Sequence, residues 1–86
     1  MPDLTSETVR RVVPLVEAAA EGFLAGHEIP PDVSLRALGL GSMGFLRLID
    51  ALEAEFGIEL DIAELSAQDT VIAIAGLVDA RTQGSR

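Results

Sequence analysis

One serine hydroxyl, one imidazole and a run of carboxylates carry most of the reactive chemistry in this sequence, and there is no cysteine. Ser42 stands in Leu38-Gly-Leu-Gly-Ser-Met-Gly44, just ahead of an apolar periodic segment. That placement puts its hydroxyl at a helix N-terminus. Unpaired backbone N–H groups and the positive helix end favour an attached phosphate there. Gly39 and Gly41 let another protein's active site approach the backbone. Serine is also a common helix N-cap, and the local sequence leaves both roles open.

The other reactive groups point nowhere as clearly. His27 is the only histidine and lies in Ala25-Gly-His-Glu-Ile-Pro-Pro-Asp32, a stretch that reads as loop. A catalytic histidine wants a positioned nucleophile and an orienting acid, and nothing local supplies them. No catalytic residue is assigned. No twelve-residue window offers the alternating oxygen ligands, central glycine and terminal glutamate of a calcium loop, and without cysteine there is no thiolate site, so no metal is expected. Gly39 to Gly44 matches G-x-G-x-x-G, with an acid about 20 residues on at Glu59 or Asp61. A dinucleotide fold would need a strand before it, and Val33 to Leu38 is short and interrupted by Arg36.

The elements that position Ser42 follow from periodicity. Stepping ~100° per residue, Phe45, Leu48, Ile49, Leu52 and Phe56 fall within about 60° of one direction. They form the buried stripe of a helix over residues 42–56, ended by Gly57. Met43, Leu46, Arg47, Asp50, Glu53 and Ala54 take the opposite face, so two large apolar side chains stand off the stripe within a turn of Ser42. Before it, Val9, Val12, Val13, Val16, Ala20, Phe23 and Leu24 predict a helix from about Ser6 to Leu24, capped by Thr5 or Ser6 and bent at Pro14. A helix starting at Pro14 is the alternative. Gly26 ends this helix, Pro30-Pro31 forbids another, and Ser34 can cap a short turn over 35–38. Ile62 to Leu65 reads as one helical turn. Asp69 is expected to cap a last helix whose stripe is Val71, Ile74, Ala75 and Val78, with Leu77 at its margin.

The composition sets limits. Eighty-six residues with 49% apolar types support one small core. Residues 1–86 read as one domain, ordered from about 6 to 80, with Met1 to Leu4 frayed and Ala80 to Arg86 mobile. Net charge is −8 and every base is arginine. Seven acids and no base lie between Asp50 and Asp69, a field that repels nucleic acid and anionic membrane and draws basic protein surfaces. No leader and no apolar run near ~20 residues appears, so a soluble cytoplasmic monomer is expected.

Leu38-Gly-Leu-Gly-Ser-Met43, then Leu48-Ile-Asp-Ala-Leu-Glu-Ala-Glu-Phe-Gly-Ile58, resembles the signature of the acyl and peptidyl carrier proteins. That signature is Leu-Gly-x-Asp-Ser-Leu/Met followed by an acidic helix ending Leu-Glu-x-Glu-Phe-Gly. The resemblance implies an all-α four-helix bundle: three main helices, one short helix and a long first loop. It implies that Ser42 carries a 4'-phosphopantetheine arm, transferred from coenzyme A by a phosphopantetheinyl transferase, with cargo held as a thioester. Acyl-loading, condensing or tailoring enzymes would be the other partners. Met43, Leu46, Arg47, Asp50, Glu53 and Glu64 would meet them, and the chain would not itself be an enzyme. Two departures stand out. Gly41 replaces the usual Asp before the serine, and Arg47 replaces a frequent Glu. Both suit a dedicated carrier, for polyketide or related acyl cargo first and for aminoacyl or peptidyl cargo second. From another class, an unmodified helical adaptor would use Met43 and Leu46 with Ser42 as a cap.

Overall fold

A computed structural model describes residues 7–20 and 29–84 of the chain. Four helices follow in order: α1 (Glu7–Ala19), α2 (Ser42–Phe56), α3 (Ile62–Ala67) and α4 (Val71–Gly84). No strand occurs among the described residues, so the G-x-G-x-x-G match has no strand before it. The described residues form an all-α bundle of three main helices and one short one, as the resemblance implies. The expectations for Thr5, Ser6, Phe23, Leu24, Gly26 and His27 lie outside the described residues.

Apolar stripes build the bundle. Val9, Val12, Val16 and Ala19 bury one face of α1 against Phe45, Leu48, Ile49 and Leu52 of α2. Val71, Ile74, Ala75 and Val78 of α4 and Leu65 of α3 complete the core with Ile29, Leu35, Leu40 and Ile58 from the connections. Each fully buried Leu or Val side chain contributes roughly 1.5–3 kcal/mol. α1 runs continuously through an exposed Pro14, which excludes the helix starting at that residue. Phe56 is half-buried, not sealed in the stripe. The Arg11 guanidinium covers its ring at 4.4 Å and pairs with Glu55 at 2.8 Å.

Three boundaries differ from the pattern. α3 extends past one turn to Ala67, and Asp61 caps it, accepting from the Ala63 N–H at 2.8 Å. α4 continues beyond Ala80 to Gly84, with Thr82 Oγ1 donating to the Asp79 carbonyl and Arg81 paired with Glu64. Its cap is Thr70, whose Oγ1 accepts from the Ala73 N–H at 3.1 Å; Asp69 is drawn elsewhere.

Asp69 instead ties the first loop to the start of α4. Ser34 Oγ donates to its carboxylate at 2.6 Å and the Arg36 N–H at 3.2 Å. The Leu35 N–H reaches the Asp69 carbonyl at 2.8 Å and the Ile72 N–H the Pro31 carbonyl at 3.0 Å. Ser34 Oγ also accepts from the Ala37 N–H, as the cap of the short turn. This knot fixes residues 34–40, and they deliver the chain to α2.

Candidate functional site

Residues 34–40 close on themselves through Leu38 N–H to the Leu35 carbonyl at 3.1 Å and Leu40 N–H to the same carbonyl at 3.0 Å. Gly39 then takes φ 107°, a conformation that side-chain-bearing residues rarely adopt. The reversal drops Leu40 into the core and starts α2 at Gly41. The first intrahelical bond runs from the Phe45 N–H to the Gly41 carbonyl at 3.0 Å. Gly41 is therefore the N-cap, and it brings no side chain to the exposed first turn.

Ser42 is the first helical residue, not the cap, and it is exposed. Its hydroxyl has no hydrogen bond among the described residues. The capping role that the sequence left open for Ser42 is thus absent. The N–H groups of Ser42, Met43 and Gly44 lie ahead of the first helical bond.

Gly44 takes a different role in three dimensions. It is buried, and a Cβ there would lie 2.9 Å from Leu40 Cγ and 3.6 Å from the Ala19 carbonyl oxygen. It lets α2 approach the end of α1. Gly41 is under no such constraint: its φ is −93° and a Cβ would meet nothing within 4 Å.

Two clefts flank Ser42. One, of about 390 Å³, lies toward α1 and is lined by Ala19, Ala20, Leu40, Met43, Gly44 and Arg47 among others. The second, of about 280 Å³, lies toward α3, between Arg36, Leu40, Phe45, Leu46, Ile62 and Ser66. Among the described residues three large apolar side chains are exposed, Met43 (61%), Leu46 (48%) and Ile62 (41%), and all border these clefts.

The acids separate into two groups. Asp50 is exposed on α2 near this apolar surface. Glu53 is turned to internal work: its carboxylate accepts from the Leu60 N–H at 2.9 Å and holds the chain after Gly57. Glu64 is paired with Arg81, linking α3 to α4. Arg47 is exposed and engaged in an interaction of its own. Asp69 has its acidity shifted by its surroundings. Partial burial acts to raise its pKa, but the bonds from Ser34 and the Arg36 N–H, with the Arg36 charge, outweigh it and hold the carboxyl below its ordinary 3.8.

Arg36, Ile62 and Ser66 are neighbours of Ser42 that sequence reasoning missed. Arg36 precedes Ser42 by six residues, and Ile62 and Ser66 share one side of α3. Their only signal is an off-pattern apolar residue on a short helix. Among the described residues no group of three His, Asp or Glu is placed to hold a metal, and no helix is long and apolar enough to cross a membrane.

Comparison with protein families matches residues 14–78 to the family described as phosphopantetheine attachment site. Searches of curated proteins and of solved structures return no significant match.

Proposed function

The chain belongs to the phosphopantetheine attachment-site family, whose domains bind 4'-phosphopantetheine covalently, and from that premise we propose that it is an acyl carrier with the arm on Ser42. The observation that carries this reading is an exposed, unbonded serine hydroxyl on an uncapped helix start, within the matched span. The residues present fit the group. Nothing crowds Gly41, and the N–H groups of the first turn are available to an anion. A transferase would form the bond from Ser42 Oγ to the phosphorus of coenzyme A nearest the pantetheine. The pyrophosphate bond breaks, the adenosine bisphosphate leaves and the hydroxyl proton passes to the transferase. When bound, the arm supplies a thiol on which acyl cargo is held as a thioester.

The chain's own part is presentation, not catalysis. Met43 and Leu46 offer apolar contact to loading, condensing or tailoring enzymes. Asp50 offers charge to basic partner surfaces, and Arg47 tunes which partner is accepted. The structural duties of Glu53 and Glu64 shift the polar share of docking to Asp50. Gly41 and Arg47, departures from the common carrier pattern, favour a dedicated carrier for polyketide or related acyl cargo, working in the cytoplasm where coenzyme A is at hand.

The absence of cysteine gives a clean assay. The protein as made titrates no thiol. After incubation with coenzyme A and a broad-specificity transferase, and removal of small molecules, it should titrate one thiol per chain, and Ser42→Ala should titrate none. A folded wild-type protein that stays thiol-free beside a modified control carrier would overturn the reading.

A further inference from the structure

We propose that Arg36 is the side chain that binds the phosphodiester of the arm and thereby sets the arm into the α3-side cleft rather than the α1-side one. This deepens the carrier reading and rests on attachment at Ser42. Both clefts touch Ser42, so the geometry of the serine alone does not choose between them. Three features of the α3-side cleft do.

The first is position. The Arg36 guanidinium carbon lies 5.6 Å from the centre of the Phe45 ring. Phe45 is three residues along α2 from Ser42, so the two share one helix face with β-carbons about 5–6 Å apart. The phosphorus of the arm is bonded directly to the Ser42 oxygen, and Ser42 and Arg36 line the same cleft, so the anion forms in the cleft that the arginine borders. The second is donor capacity. A guanidinium has five N–H donors in a rigid fork suited to phosphate oxygens. Among the described residues that of Arg36 makes one long hydrogen bond, Nη2 to the Ser66 carbonyl at 3.5 Å. The Asp69 carboxylate takes the backbone N–H of Arg36 and acts on the guanidinium only as a nearby charge, with no hydrogen bond between the two side chains among the described residues, so the remaining side-chain donors are open to another anion. In the α1-side cleft the cation among the described lining residues, Arg47, already has an interaction.

The third is the shape of the arm. Beyond the phosphate it carries a gem-dimethyl carbon and then amides. The same cleft is lined by Leu46 and Ile62, two exposed large apolar side chains. An apolar segment laid over them removes exposed hydrocarbon from water. The anion and the apolar part of the arm thus find a cation and an apolar surface in one cleft.

The test uses the full chain, with and without the arm, observed by ¹⁵N and ³¹P magnetic resonance. Adding the arm should move the Arg36 side-chain Nε–H resonance more than that of Arg47. The ³¹P resonance should shift in Arg36→Gln and return toward the wild-type position in Arg36→Lys. Arg36→Gln keeps the backbone bond to Asp69, so the fold should survive, and an unchanged amide spectrum away from the cleft checks this. A silent Arg36 with a ³¹P resonance indifferent to Arg36→Gln would overturn the proposal, as would a response centred on Arg47. In each of these cases modified protein has formed and the carrier reading stands. Failure to gain the arm at Ser42 would remove both.

Discussion

Gly39, Gly41 and Gly44 surround Ser42 for different physical reasons, and single substitutions separate them. Gly39 holds a positive φ of 107°, so Gly39→Ala should destabilise the protein by about 1–2 kcal/mol in denaturant unfolding through backbone strain. Gly44→Ala would force a Cβ against Leu40 and should cost about 1–3 kcal/mol by overpacking, with the displacement visible in the Leu40 methyl resonances. Gly41 has ordinary backbone angles and open space. Gly41→Asp should gain from a few tenths to about 1 kcal/mol, because the new carboxylate caps N–H groups that now lack a side-chain partner. A loss of stability in that variant would contradict the uncapped first turn.

At the scale of elements, the helices facing the core are legible in the sequence and the ties between them are not. The stripes Val9-Val12-Val16, Phe45-Leu48-Ile49-Leu52 and Val71-Ile74-Ala75-Val78 stand out because helical periodicity is local. Ser34 and Asp69 are 35 residues apart, so no local pattern joins them. Local pattern therefore makes Asp69 a cap, a role that Thr70 fills. The acidic run hides its internal ties for a related reason. Of its seven members, Glu53, Glu55, Asp61, Glu64 and Asp69 all accept hydrogen bonds within the fold. Sequence does not distinguish a carboxylate that holds a loop from one that waits for a partner. Ser42 is legible because its glycines and the following stripe mark a helix start; Arg36 is not, because it reaches Ser42 only through the turn between them.

Two predictions belong to this scale. Glu53→Ala should lower stability by about 1–3 kcal/mol by stranding the half-buried Leu60 N–H, whereas Asp50→Asn should stay within about 0.5 kcal/mol and act instead on the rate of partner association. Paired unfolding curves check both. The second concerns acid. The folded-state pKa of Asp69 is depressed below 3.8, so its contribution is fully present above that ordinary value. It disappears as pH falls from there through the lower folded-state value. Removing the acceptor in Asp69→Ala should flatten this part of the stability–pH curve below about pH 4. An identical acid limb in wild type and variant would contradict the assigned role.

The whole molecule carries a net charge of −8 on 86 residues, and the ion pairs Arg11–Glu55 and Arg81–Glu64 are solvent-accessible. Such pairs contribute little, about 0–1 kcal/mol each, so mutual repulsion among the acids governs the response to salt. Melting temperature should rise between low and physiological ionic strength; a fall would give the ion pairs the larger share. The central claim is that this acidic bundle exists to present one hydroxyl. Its most direct test is the intact mass of the protein after exposure to coenzyme A and a phosphopantetheinyl transferase, followed by fragment masses that locate the change. One phosphopantetheinyl group on Ser42, absent in Ser42→Ala, is the predicted result. No mass gain, or a gain carried by Ser34 or Ser66, would contradict it.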